Sequence, residues 1–287
     1  MSVQGYDEEL LGPPIAGPSA LGGGFRRFSH LARTLAVTDF KLRFFGSALG
    51  YFWQLGRPLM LFGVLYAVFT QFLKIGGSVP HYPIVLLANI VLYTFFNEST
   101  GGAVPSVVNR ENLVRKIHFP RLAIPVSVVL VAMFNLALNL LVVLIFALAS
   151  GVKPQWTWLE LPVLVGMLTV LCVGVAMLLS ALYVRFRDMQ PIWDVFSQAL
   201  FYGTPVLYTL QSIDISDTIK HGLMLNPLAV ILTQFHHALI GGSKADGAAA
   251  VAGGWSHLIP PIVLTAAVLV IGYRVFNRNA PQIAEHL

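Results

Sequence analysis

Residues 109–122, NRENLVRKIHFPRL, hold Arg110, Glu111, Arg115, Lys116, His118 and Arg121, whereas the run from Leu122 through Gly151 carries no charged side chain. Asn109 has the side chain to cap a helix, Glu111 stands in its first turn four residues ahead of Arg115, and Pro120 limits continuation. Leu113, Val114 and Ile117 give the segment a small apolar face. Two roles fit such an island of charge: an amphipathic helix that docks on a partner protein, or a loop whose cations fix membrane topology. Other chemistry is sparse. Glu98, Asp188 and Asp194 are the carboxylates within or beside apolar runs, and Asn135 and Asn139 share a helix face at i and i+4, which suits hydrogen bonding between helices. No GxxxxGK[ST] loop, HExxH pair or Cys/His ligand set occurs, so neither a nucleotide site nor a metal site is expected in this chain. His236 and His237 are adjacent and point to different helix faces. Cys172, the single cysteine, lies in an apolar run and reads as a small buried hydrophobe, with no intrachain disulfide possible.

The elements that must position these groups are membrane helices. The chain is 56% hydrophobic and 11% charged, with a mean hydropathy of +0.73 over 287 residues, which no ordinary soluble domain shows. Its net charge of +5 is spread between apolar runs rather than clustered, so membrane topology explains it and nucleic acid does not. The expectation is an all-α polytopic membrane protein. Residues 1–24, rich in Gly and Pro, read as a disordered tail and not a signal peptide. Residues 25–48 form an amphipathic helix, with Phe25, Phe28, Leu31, Leu35 and Leu42 on one side and Arg26, Arg27, Arg33, Lys41 and Arg43 over much of the rest. It carries too many charges to span; it lies in the membrane interface or packs on a soluble partner.

Six spans follow from the roughly 20 helical residues that a hydrocarbon core of about 30 Å requires: 51–73, 82–108, 122–149, 161–184, 189–210 and 258–276, together a transmembrane domain over 49–277 with a tail at 278–287. Arg57 sits in the first turns of the first span, placed to snorkel or to meet headgroups. Glu98 lies in the far half of the second, facing either the bundle interior or interfacial water, where Gly101, Gly102 and Pro105 loosen the helix. Trp156 and Trp158 anchor the interface before the fourth span, Ala176 and Ser180 offer a small-xxx-small contact within it, and Asp188 is placed to cap the fifth. Residues 223–240 are apolar but interrupted by Asn226 and Pro227. If they do not cross, the 18 Lys and Arg divide fourteen to four, with only Lys74, Lys153, Lys220 and Lys244 on the second side. That asymmetry makes the island and both termini cytoplasmic and leaves 223–240 re-entrant or lying at the outer surface.

The segments LGYFWQLGRPL (49–59), NRENLVRKIHFPR (109–121), RDMQPIWDVFSQALFYGTPVLY (187–208) and NPLAVI (226–231) occur in that order. Together they resemble the membrane subunit of the type-2 ABC exporters that move O-antigen, teichoic acid and related polysaccharides. The resemblance covers about residues 25–276. It implies a homodimer of six-span subunits in a bacterial cytoplasmic membrane, assembled with two copies of a separate P-loop ATPase that binds ATP and Mg. It implies further that Asn112, Leu113, Arg115, Lys116 and Ile117 belong to a coupling helix seated on that ATPase, and that residues 25–45 are the interface helix. The cargo it implies is a glycan on a polyprenyl diphosphate type of lipid, moved along the dimer seam among membrane lipids. For that path the candidates are Glu98 and the aromatic side chains Tyr51, Trp53, Tyr66, Phe69, Phe96, Phe201, Tyr202 and Tyr208, since aromatic rings suit sugar faces and equally serve as packing or interface anchors. Two other functions stay open: an ABC exporter of a drug or lipid, and a membrane-embedded transferase using Glu98, Asp188 or Asp194.

Overall fold

A computed structural model describes residues 24–44, 50–72, 79–116, 119–210, 215–241 and 246–280, without the side chains of residues 44, 50, 51, 71, 72, 115 and 116. The expected tail at 1–24, apart from Gly24, most of the tail at 278–287, Ile117 and His118 lie outside the described residues, as do the Tyr51, Arg115 and Lys116 side chains and the expected Glu111–Arg115 pair. Eleven α-helices occur among the described residues, and no strand: α1 Phe25–Phe44, α2 Gly50–Ala67, α3 Tyr82–Ala103, α4 Glu111–Lys116, α5 Ala123–Ala149, α6 Glu160–Arg185, α7 Met189–Gly203, α8 Asp217–Leu223, α9 Pro227–Ile240, α10 Ala248–Val251 and α11 Ile259–Asn279. Five segments are long and apolar enough to cross a membrane, and a sixth if the pair α8 and α9, bent by 103° at its break, is taken as one.

α3 is the axis of the bundle. It packs against α5, α6, α7, α9 and α2, and its side chains from Ile84 through Leu92 are buried without interruption. Pro83 occupies the first turn, where a missing N–H costs nothing, and the helix ends at Ala103 beside the Gly101, Gly102 and Pro105 cluster. α6 and α11 form the closest pair. A Cβ on Gly272 would lie 2.3 Å from the Gly174 carbonyl oxygen, and one on Gly174 would lie 2.9 Å from the Leu269 backbone, so both positions require glycine. Ala176 and Ser180 are buried as well, but the small-residue contact that sets this spacing is the glycine pair.

The expected fifth span, 189–210, is not among the five segments long and apolar enough to cross, and it is not one plain helix. α7 holds 15 residues, about 22 Å of rise, and ends at Gly203. Residues 204–210 continue in non-helical backbone along α3 toward Tyr82. Their carbonyls are met by α3: Asn89 Nδ2 donates to Pro205 O at 3.0 Å and Val206 O at 3.3 Å, and Tyr82 OH donates to Leu207 O at 2.8 Å. Tyr93 OH reaches the Ser197 carbonyl one step earlier. Irregular backbone at membrane depth survives only where protein covers it, and α3 supplies the cover and the donors. Asp188 does not cap α7: it is exposed, its backbone is helical (φ −71, ψ −8), and no side-chain cap bond forms. The cap that does form belongs to Asn226, whose side-chain oxygen accepts from Leu228 N at 3.0 Å to start α9, with Pro227 in the first turn. α9 then packs on α6, α3 and α11, with Trp158 Nε1 donating to Leu239 O and Thr157 Oγ1 to Ala238 O near its end.

The face that α1 buries overlaps the expected one at Phe28, Leu31 and Leu35, which are half-buried, and is centred on two alanines. Ala32 and Ala36 are buried, and Phe28 and Phe40 complete an i, i+4 series toward the bundle, with Phe40 edge-on to Phe134 of α5 at 5.3 Å. Phe25 and Leu42 are exposed instead. Alanine lets two helices approach closely, so the docking face is centred on Ala32 and Ala36, with Phe28 and Phe40 at its two ends. Arg26, Arg27, Arg33, Lys41 and Arg43 all remain exposed.

Candidate functional site

The charged island is mounted rigidly at both ends. A 3-10 turn, Val108–Arg110, leads into α4, and Asn109 lies inside that turn rather than ahead of it, so it does not cap the helix. Arg110 forms an ion pair with Asp39 of α1 and donates from Nη1 to Ser127 Oγ of α5 at 3.2 Å. On the far side Arg121 is buried and reaches the Ala280 carbonyl beyond α11, where burial lowers its pKa from the ordinary arginine value. Val114 is buried and Leu113 half-buried, so the apolar side of α4 faces the protein, while Asn112 is exposed. Two of the island's cations therefore hold the short helix in place, and α4 stands as a projection braced by α1, α5 and the end of α11.

Immediately above the mount lies Glu98. Its carboxylate accepts from Gln54 Nε2 of α2 at 3.1 and 3.5 Å and from Asn135 Nδ2 of α5 at 2.9 Å, so three helices meet on one acid. Asn139 does not bridge helices; its Nδ2 donates back to the Asn135 carbonyl at 2.9 Å. The half-buried Glu98 also lines a cavity of about 230 Å³ with Asp39 and Arg43 of α1, which opens the carboxylate toward the island end of the bundle.

A second cavity, about 390 Å³, lies between α2, α3 and α7. Leu61, Tyr93, Asn97, Asp194, Gln198 and Tyr202 are among its lining residues, together with Phe201. Tyr93 and Phe201 meet edge-on at 5.0 Å, and Phe201 and Tyr202 at 5.3 Å, while Gln190 Nε2 donates to Asp194 Oδ1 at 3.1 Å. Aromatic faces beside amide and carboxylate groups give this surface both stacking and hydrogen-bonding capacity.

The nine positions read from the sequence as a path are thus dispersed. Phe201 and Tyr202 line the larger cavity. Phe96 is buried beneath Tyr93 and Trp193, and Tyr66 stacks on Phe62 at 5.6 Å within the helix, with Phe69 half-buried near by. Trp53 is exposed. Tyr208 faces a separate, smaller pocket with Asn89, Thr233, His236 and Asp246. Tyr93 and Asn97 were not singled out by the sequence. Their signal is a polar i, i+4 step on α3 matched by Asp194, Gln198 and Tyr202 at the same spacing on α7. Among the described residues no group of three or more His, Cys, Asp or Glu side chains is disposed to hold a metal ion.

Residues 30–240 match the family model described as ABC-2 type transporter. An O-antigen export system permease protein of Myxococcus xanthus, RfbA, is 29% identical over 209 residues, which cover 73% of this chain and 80% of that protein. A protein of the same name from Klebsiella pneumoniae is 25% identical over 251 residues, covering 87% and 92%. The polysialic acid transport protein KpsM of Escherichia coli is 20% identical over 226 residues, covering 78% and 86%. With a helical bundle that crosses the membrane several times and a family match over most of its length, this chain belongs to the ABC-2 type transporters.

Proposed function

We propose that this protein is the transmembrane subunit of an ATP-driven exporter that carries a lipid-linked polysaccharide across a bacterial cytoplasmic membrane. It works as a homodimer with two copies of a separate ATPase, which binds ATP and Mg, and both its termini face the cytoplasm with α4. The names of its relatives support a glycan cargo. The observation that carries the reading is α4: a short helix with Asn112 outward, held at one end through Arg110 to α1 and α5 and at the other through Arg121 to the end of α11. A projection braced to several helices passes a push from outside into the membrane instead of absorbing it. Asn112, Arg115, Lys116 and Ile117 are then the residues that meet the ATPase, with Leu113, half turned to the protein, at the edge of that contact and α1 and its outward cations lying on the membrane surface beside them. The α2–α3–α7 cavity, with Tyr93, Phe201, Tyr202, Asn97, Asp194 and Gln198, has the aromatic and polar groups that suit a sugar chain.

The test is charge reversal at Arg115→Glu with Lys116→Glu in the complex with its ATPase. Stimulation of ATP hydrolysis is lost while the melting temperature of the membrane subunit is kept; unchanged stimulation overturns the coupling role. Depleting the protein from cells makes a lipid-linked glycan accumulate on the cytoplasmic face. If none accumulates, the cargo is a drug or a lipid.

A further inference from the structure

We infer that Glu98 is the catch that fastens α2 to the rest of the bundle, and that its release frees α2 to move during transport. The first observation is how lightly α2 is held within this chain: Phe62, Leu65, Tyr66 and Phe69 pack against the core, and most of the rest of its apolar surface does not. In a single copy few of its side chains are buried, against most of those of α3, and Phe52, Trp53, Met60, Leu61 and Val64 face away from the rest of the chain. Its aromatic contact across to α5 is Phe62 edge-on to Phe146 at 6.1 Å. Within a bilayer apolar contacts between helices lack the strong drive that water supplies in a soluble core, so polar bonds weigh more in holding a helix. Pro58 lies within the helix and a π-type turn, Val68–Phe72, ends it, so α2 is also bendable along its own length.

The second observation is the chemistry at its island end. Gln54 donates to a carboxylate, a stronger bond than one between neutral groups, and the same carboxylate is held from the opposite side by Asn135. Asn135 lies two turns beyond Ser127, where Arg110 grips α5 next to the island. A displacement of the island that shifts α5 moves the Asn135 donor away from Glu98 and alters the bond to Gln54. The cavity shared with Asp39 and Arg43 brings water to the carboxylate, so the released group is solvated rather than stranded. Glu98 acts here as a positioning residue, not as part of a cargo site. That α2 moves in the cycle rests on the exporter reading above; that Glu98 holds α2 does not.

The experiment reads α2 directly. Cysteines placed at Leu61 and Gln198, which line the same cavity from α2 and α7, report by their rate of oxidative cross-linking in the full chain in lipid nanodiscs; Cys172 is buried and silent. Gln54→Glu sets two carboxylates against each other, and cross-linking slows about tenfold, the size expected for loss of a hydrogen bond to a charged group. Adding Glu98→Gln exchanges the two groups, lets the new amide donate to the new carboxylate while its oxygen still accepts from Asn135, and restores the rate to within about twofold. Gln54→Leu, which removes the donor without adding charge, slows the rate as well and serves if the carboxylate pair does not fold. A folded Gln54→Glu chain that cross-links at the wild-type rate, or an exchanged pair that does not recover, overturns the inference. With the ATPase partner present, ATP slows cross-linking in the wild type and has little further effect on Gln54→Leu. If ATP leaves the wild-type rate unchanged, release in the cycle is wrong. Failure of the complex to move any glycan while the cross-linking pattern holds would instead sink the exporter reading and leave the catch in place.

Discussion

α2 and α3 have nearly the same mean hydropathy over their spans, 1.3 and 1.2, and opposite fates: α2 lies at the surface and α3 at the centre. Apolar content decides that a helix enters the bilayer, but inside the bilayer lipid is as oily as leucine and gives no pull toward a neighbour. What centres α3 is its polar side chains. Tyr82, Asn89 and Tyr93 each donate to a backbone carbonyl of α7 or of the stretch that follows it, and Glu98 collects donors from two other helices. α11 shows a second way to be held: only 17% of its window is buried, yet Gly272 sits against the Gly174 backbone. α2 has neither a row of bonds to carbonyls nor a glycine contact, and Gln54 stands in for both.

Substitutions sharpen or break this contrast. Gly272→Ala drives a Cβ into the Gly174 carbonyl, where no flexible side chain can give way, and is expected to cost about 3 kcal/mol, the upper end for overpacking, read as loss of resistance to SDS unfolding. Asn89→Ala strips the donor from two carbonyls of the non-helical stretch, and the same assay is expected to show about 1–2 kcal/mol. Asp39→Asn weakens the ion pair that ties α1 to the island. Because both partners are partly solvated, it is expected to cost less than about 1 kcal/mol in unfolding while lowering the ATPase stimulation that the complex shows. Gly63→Ala on α2 meets nothing within 4 Å and is expected to be neutral or to gain up to about 1 kcal/mol from helix propensity. A loss at Gly63 as large as that at Gly272 would mean that α2 is packed after all, and the contrast would fall.

Hydropathy and length made five of the six expected spans legible, while 189–210 read as a span but holds a helix of only 15 residues; the division of Lys and Arg set 223–240 apart, and the 103° break between α8 and α9 falls there. The sequence made the island legible through charge contrast alone. What it hid were distances set by absence of side chain. The Gly174 and Gly272 contact joins positions far apart in the chain, and the Ala32 and Ala36 stripe of α1 was outweighed by larger residues, of which Phe25 and Leu42 turn outward. The early end of α7 was hidden for a related reason: residues 204–210 are apolar enough to read as span, and their loss of helix is compensated by donors on α3, more than a hundred residues away. Of the cavity, Phe201 and Tyr202 were legible as aromatics, whereas Tyr93 and Asn97 become visible only when two helices with the same spacing are laid side by side.

The half-unwound fifth crossing also bears on how the polypeptide is built. A segment whose final residues leave carbonyls bare cannot be handed to lipid as a finished rod, because each bare group costs several kcal/mol there. Those groups find their donors on α3, more than a hundred residues earlier in the chain. Residues 204–210 thus depend on the central helix for their backbone bonds, and a change on α3 at Tyr82 or Asn89 is felt in the last third of the chain.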